Sequence, residues 1–325
     1  MQGKVTLEDH MATEATLGDS KVFGEHVWGT LRPRLIDIQE MRLREMDRCG
    51  IEMMILSLNA PAIQAIYDTN RAIEVAREAN DVCAEHVAKR ADRFQSFAAL
   101  PMQDPEAAAA ELTRCVKELG FVGALVNGFS QAGTPENVVY YDLPQYRPFW
   151  KTVEALGVPF YLHPRNPLPS WSAIYEGHRW LLGPNWAFAA ETAVHALRLI
   201  GSGIFDECPN LQIVLGHLGE GIPVQLWRID GRNMWMGEPH RYPAKHGVGH
   251  YFRKHFHVTT SGNFSTPAMV NAIAEIGVDR VMFSVDWPFE DIAQACEWFD
   301  AAEIGEADRQ KIGRTNAAKL FKLKL

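Results

Sequence analysis

Lys4-Val5-Thr6-Leu7-Glu8-Asp9-His10 is a short apolar run that closes on an acid and an imidazole two residues apart. On an extended strand alternate side chains share a face, so Glu8 and His10 point one way and Asp9 the other. The same kind of ending recurs along the chain. Val158-Pro159-Phe160-Tyr161-Leu162-His163 closes on an imidazole, as does Leu211-Gln212-Ile213-Val214-Leu215-Gly216-His217. Arg280-Val281-Met282-Phe283-Ser284-Val285-Asp286 closes on a carboxylate. Several strands thus deliver metal-binding side chains to one rim, the mark of a metal-dependent enzyme.

Between these runs the sequence switches to helical periodicity. Residues 33–49 carry a helical pattern through Leu35, Ile38, Met41, Leu43 and Met46, stopped by Gly50 ahead of the apolar run Ile51 to Leu58. Residues 68–90 read as a helix and Phe94 to Leu100 as a strand. Asp104-Pro105 opens an alanine-rich helix as N-cap and first helical residue, and Phe121 to Val126 follows as a strand. The cycle continues with helices over 144–156, 187–203, 223–234 and 267–276 and a strand from Phe256 to Ser261. Helices over about 290–302 and 307–321 close the chain.

Eight strand candidates, each followed by a helix, imply a parallel sheet with helices outside it. In 325 residues this spacing predicts a single α/β domain over 1–325, a closed (β/α)8 (TIM) barrel with extra C-terminal helices. No Gly-x-Gly-x-x-Gly turn follows an early strand, which argues against a dinucleotide-binding sheet. Residues 164–186 and 236–255, rich in Pro, Gly, Trp and His, read as long loops over the site or at subunit contacts.

Hydrophobic residues make up 47% of the chain and charged residues 22%, enough apolar content for a large core. A formal charge of −8 argues against nucleic acid or an anionic membrane as partner. Five scattered cysteines without a Cys-x-x-Cys pair fit reduced packing thiols of a cytoplasmic protein. No basic-then-apolar leader opens the chain, and no uncharged apolar run approaches the roughly 20 residues of a membrane helix.

In a (β/α)8 barrel, sites are built at the carboxyl ends of the strands. Glu8 and His10 fall at the end of strand one, His163 of strand five, His217 of strand six and Asp286 of strand eight. Two imidazoles with two carboxylates and no thiolate suit a catalytic Zn2+, Mn2+ or Fe2+. Each residue alone has a plainer reading: a hydrogen-bonded core or surface histidine, an exposed Glu8, an Asp286 that caps the next helix. Their joint placement favours the metal. In Gly216-His217-Leu218-Gly219-Glu220 the acid three residues on can fix the His217 tautomer, or simply lie in the first turn of a helix. His26 and His86 read as ordinary surface residues.

Gly3 to His10, His163-Pro164-Arg165-Asn166-Pro167, Gly216 to Glu220 and Asp286-Trp287-Pro288-Phe289-Glu290 together resemble the decarboxylase branch of the amidohydrolase superfamily. Leu56 to Pro61, Phe121 to Ser130 and Tyr140 to Trp150 are similar to its γ-resorcylate (2,6-dihydroxybenzoate) decarboxylase group, over essentially the whole chain. The resemblance implies an amidohydrolase-like barrel that decarboxylates an aromatic acid without an oxidant. It implies one divalent ion, Mn2+ ahead of Zn2+ or Mg2+, held by Glu8, His10, His163 and Asp286, and a homo-oligomer, dimer or tetramer. Strand one offers Glu-x-His rather than the His-x-His of the superfamily's hydrolases, and strand four ends Val126-Asn127 rather than in a bridging lysine, so a mononuclear site is expected.

Decarboxylation of an aromatic acid needs a proton on the carboxyl-bearing carbon before CO2 leaves. Asp286 is the expected acid, and His217, oriented by Glu220, is expected to stabilise the phenolic oxygen or shuttle the proton. Phe23 and Phe289 are candidates to clamp the ring, with core packing as the alternative. Arg228 is a candidate for the substrate carboxylate or a second hydroxyl, from this chain or a neighbouring subunit; a surface ion pair explains it as well. The rivals are a metal-dependent hydrolase or lactonase on the same barrel, which would use His217 as base, and a non-catalytic binding barrel.

Overall fold

Eight strands pair side by side in parallel and in chain order: β1 (Lys4–Met11), β2 (Ile51–Leu58), β3 (Phe94–Ala98), β4 (Gly123–Asn127), β5 (Phe160–His163), β6 (Ile213–Leu215), β7 (Phe256–Thr259) and β8 (Val281–Met282). The sheet curls until β1 meets the segment just past β8 at an isolated bridge, Asp9 to Trp287, where the His10 N–H donates to the Trp287 carbonyl at 2.5 Å. This is the expected (β/α)8 architecture. The computed structural model describes residues 1–236 and 242–325, without the side chains of residues 22 and 23. Among the described residues no helix is long and apolar enough to cross a membrane.

Two apolar layers follow from strand alternation. Val5, Leu7, Met53, Ile55, Phe97 and Tyr161 fill the barrel's interior. The opposite faces, including Met54, Leu56 and Leu58, pack against the surrounding helices. Those helices include α1 (Glu25–Ile36), α2 (Met41–Cys49), α3 (Thr69–Lys89), α4 (Pro105–Lys117), α5 (Arg147–Leu156), α6 (Ala187–Gly201), α7 (Ile222–Met236), α8 (Thr266–Ile276) and α9 (Ile292–Ala301). Asp104 caps α4 as expected, accepting the N–H groups of Glu106 and Ala107 at 2.9 and 3.0 Å.

The structure departs from the expected elements in four places. The single helix expected over 33–49 is two, because the Asp37 carboxylate accepts the N–H groups of Glu40 and Met41 (3.1 and 2.8 Å) and starts a new helix. A whole helix, α1, precedes that break; Gly29 and Pro33 within it weaken its sequence signal. Val248–His255, read as part of a loop, is helical, while residues 237–241 of that stretch lie outside the described residues. The strand expected over 280–286 has only two residues in the sheet, so Asp286 stands beyond its end on an irregular segment. The long connection after β5 holds four short 3-10 turns between Pro169 and Asn185.

Candidate active site

The placement of Glu8 and His10 depends on an irregularity in β1. Strict alternation would put them on the face opposite Val5 and Leu7, which fill the barrel interior. Pairing with β2 slips between Thr6 and Asp9: Thr6 faces Met54 and Asp9 faces Leu56, so Leu7 and Glu8 together oppose Ile55. This bulge turns both Leu7 and Glu8 inward, and the next alternation brings His10 in as well. The N–H groups of Leu7 and Glu8 both donate to Ser284 Oγ, at 3.0 and 2.9 Å.

Glu8, His10, His163 and Asp286 each present a donor atom, and these atoms all lie within 4.8 Å of one another. Glu8 Oε1 is 3.2 Å from His163 Nε2, and Asp286 Oδ1 is 3.3 Å from His10 Nε2. Yet Glu8 Oε1, His10 Nε2 and Asp286 Oδ1 are buried with no hydrogen-bond partner, which costs free energy unless something else binds them. Their other atoms are held firmly. Glu8 Oε2 accepts from Tyr161 Oη and from Ser261 Oγ (2.6 Å). His10 Nδ1 faces the Leu58 carbonyl at 3.0 Å, which can only accept, so the proton sits on Nδ1 and the Nε2 lone pair faces the cluster. A side chain at Gly216 would strike Glu8 Oε2 at 2.7 Å. The donor set fits a divalent metal ion.

Burial by itself would raise the Glu8 carboxyl, but His217, His163 and His10 hold it well below the usual carboxylate range. Burial pushes the His163 imidazole down, keeping it neutral as a ligand must be. His217 behaves differently. Burial disfavours its charged form, yet Glu220 and Glu8 override that and hold it well above the ordinary histidine range. Its Nδ1 meets Glu220 Oε1 at 2.7 Å, and its Nε2 lies 3.4 Å from Glu8 Oε1 and 3.8 Å from Asp286 Oδ2.

The backbone at this corner is unusual. Residues 217 to 221 all have positive φ (51, 59, 85, 55 and 75°), a left-handed turn that costs roughly 1–2 kcal/mol for each non-glycine residue. The Leu218 N–H pins it to the Thr259 carbonyl at 2.7 Å. The turn brings Glu220 to the Nδ1 edge of the His217 ring before α7 begins. Asp286 also has positive φ, 81°. The helix that follows is capped by Asp291, which accepts the Gln294 N–H at 3.0 Å, so the capping alternative for Asp286 does not hold.

These groups open into a cavity of ≈ 750 Å3 whose walls include His163, His217, Asp286 and Phe289. The Phe289 ring stands 5.6 Å from that of His10, at 63°. The side chain of Phe23 lies outside the described residues. Arg228 is not in this chain's cavity: it is exposed on α7, because the helical period turns it outward while Leu226 packs inward. A direct contact with substrate in the same chain is therefore not what the fold provides. His26, read as a surface residue, is exposed but lines the mouth. Tyr161, Ser261 and Ser284 carry no signal in the sequence because they sit inside ordinary apolar or hydroxyl-rich runs. Asp19 and Arg165 also line the cavity; Arg165 stands two residues after His163, and that spacing is the sequence signal for it.

The amidohydrolase family pattern matches residues 23–323. The chain belongs to the amidohydrolase family. A γ-resorcylate decarboxylase of Rhizobium sp. (strain MTP-10005) is 65% identical over 325 residues, covering 99% of each chain. A crystal structure of a 2,6-dihydroxybenzoate decarboxylase complexed with 2,6-dihydroxybenzoate superposes with a TM-score of 0.98 at 65% identity, over 99% of this chain and 100% of that one. A dihydroxybenzoic acid decarboxylase from Polaromonas sp. JS666, solved with manganese and the inhibitor 2-nitroresorcinol, gives 0.97 at 62% identity, over 99% and 97% of the two chains. Within the family the chain groups with the decarboxylases, and it is a carbon–carbon lyase for aromatic acids.

Proposed function

We propose that this protein removes the carboxyl group of 2,6-dihydroxybenzoate without an oxidant, giving resorcinol and CO2, in a reversible reaction. The observation that carries the reading is the convergence of Glu8, His10, His163 and Asp286, with donor atoms unmet, at a cavity walled by His217 and Phe289. The likeness to a decarboxylase solved with this aromatic acid supports the choice of substrate.

Direct loss of CO2 would leave an electron pair in the plane of the ring, stabilised by nothing. Protonation of the carboxyl-bearing carbon first avoids this: an ortho phenolate pushes electrons into the ring, and a C–H bond forms. The C–C bond then breaks, its electrons restoring the aromatic ring as CO2 departs. A divalent ion held by Glu8, His10, His163 and Asp286, Mn2+ in this reading with Zn2+ or Mg2+ as alternatives, supplies positive charge for the carboxylate and one ortho oxygen. Asp286 faces two ways, Oδ1 toward His10 and Oδ2 toward His217. That arrangement suits Asp286 as the acid that protonates the ring carbon, with His217 passing it the next proton and Glu220 holding the His217 ring. Phe289 packs against the ring face and excludes water.

We also read the protein as a cytoplasmic homo-oligomer, a dimer or tetramer. Trp227, Met234 and Trp235 on α7 are 84%, 79% and 77% exposed, an apolar face that supports association of copies. Arg228 shares this helix, and in our reading it serves a neighbouring subunit's substrate. The five unpaired cysteines support a reducing compartment.

One assay tests the central reading. Mn2+-loaded protein is incubated with 2,6-, 2,3- and 2,4-dihydroxybenzoate, salicylate and a set of lactones while absorbance and CO2 are followed. Release of CO2 is expected, fastest from the 2,6-isomer. Lactone opening without CO2 release would replace this reading with the hydrolase.

A further inference from the structure

Arg42 of α2 is fully buried behind β1, on the helix side of the sheet. A guanidinium in such a place ordinarily pairs with a carboxylate, and the buried carboxylate of Asp9 is its neighbour. Arg42 does not spend its donors there. Nη1 reaches the Asp9 carbonyl at 3.5 Å and Nη2 the His10 carbonyl at 2.5 Å. Asp9 Oδ1, Asp9 Oδ2 and Arg42 Nε are each buried without a hydrogen-bond partner. The fork therefore spans two successive backbone carbonyls directly after the β1 bulge, holding that of His10 closely and reaching that of Asp9 at the outer limit of a hydrogen bond.

Past the end of β8, Trp287 meets β1 at the Asp9–Trp287 bridge and its carbonyl accepts the His10 N–H, and the two N–H groups of the bulge donate to one serine hydroxyl, Ser284 Oγ. The bulge decides whether Glu8 and His10 face the barrel interior, since losing it would return both to the opposite face.

We propose that Arg42 is a positioning residue of the metal centre: its two carbonyl contacts hold β1 in the bulged register that aims Glu8 and His10 at the ion. This rests on the metal reading above. A lysine at the same place keeps the charge but has no rigid fork able to grip both carbonyls.

The test uses the full-length protein stripped of metal. For the parent, Arg42→Lys and Asp9→Asn, Mn2+ affinity is measured by competition with a chromogenic chelator, together with the thermal midpoint of the metal-free protein and kcat at saturating Mn2+. Arg42→Lys is expected to keep the metal-free midpoint, to bind Mn2+ about 10–100-fold more weakly, as loss of a ligand's support does, and to recover kcat in excess Mn2+. Asp9→Asn, which leaves the carbonyl contacts intact, is expected to bind Mn2+ nearly as the parent does. Parent-like affinity in Arg42→Lys overturns the proposal, as does an equal loss in Asp9→Asn, which would assign the effect to the charge pair. Failure of Arg42→Lys to fold overturns it too, by making Arg42 a folding group. Absence of Mn2+ binding by the parent would instead remove the metal reading itself.

Discussion

The two ends of the barrel treat buried charge in opposite ways. Where the strands begin, the Lys4 ammonium is buried and donates to the carbonyls of Met1 and Cys49 and to Asp300 Oδ2, at 2.5, 3.1 and 3.0 Å. The N-terminal ammonium joins the same carboxylate at 2.8 Å. All three donors of the lysine are used. Where the strands end, Glu8 Oε1, His10 Nε2 and Asp286 Oδ1 are as deeply placed and have no hydrogen bond. The saturated end holds the fold together, and the unsaturated end is built around something that must be bound.

The largest effect expected from breaking this contrast comes from chelation. Stripping the metal should abolish decarboxylation, and Mn2+ should restore it; full activity after chelation would show that the unmet donors are not a working metal site. At a free ion concentration of 100 times Kd, binding should also add about 2.7 kcal/mol to stability, readable as a rise in the thermal midpoint.

Next comes Asp286→Asn, which should lower kcat by roughly 10²–10⁴-fold without lowering the thermal midpoint of the metal-free protein. Steady-state rates near those of the parent would remove Asp286 as the acid. At the opposite end, Lys4→Met should do the reverse: a loss of roughly 1–3 kcal/mol in denaturant unfolding, with kcat unchanged. A fall in kcat there would mean that the two ends are coupled.

The smallest effect is expected at Asp19, in the cavity wall. Burial raises its carboxyl to about 6, partly opposed by the Ala62 N–H and Arg165. A carboxyl whose folded pKa exceeds its unfolded value binds its proton more tightly in the native state. Its contribution to stability is therefore greatest at low pH and is lost as pH rises from about 4 through 6. Asp19→Asn should flatten that part of the stability–pH curve and stabilise the protein at pH 7 relative to the parent. An unchanged curve between pH 4 and 7 would show that Asp19 is not under this stress.

Much of the site was legible because its chemistry sits in short local motifs. Glu8-x-His10, the histidines at 163 and 217 and Asp286 each end an apolar run, and parallel strands put such ends on one rim whatever lies between them. The Glu220 partner of His217 was legible for the same reason, being three residues away. Arg228 shows the limit: its motif was visible, but only the fold reveals that the residue faces outward from α7. The helix break at Asp37 and the short β8 were hidden because one capping carboxylate, or an apolar run with no partner strand, leaves the hydrophobic period unchanged.

From the sequence alone came the alternation of strands and helices, the acid and imidazole types at strand ends and the chemistry they suit, since these depend on local periodicity and on side-chain identity. Tertiary structure alone decided the bulge that turns Glu8 and His10 inward, the left-handed corner under His217, and the grip of Arg42, Tyr161 and Ser261 on the ligands and their backbone. Each of these is held by contacts between residues far apart in the chain, the corner through the Leu218 N–H on the Thr259 carbonyl, and their energy exists only once the barrel has closed.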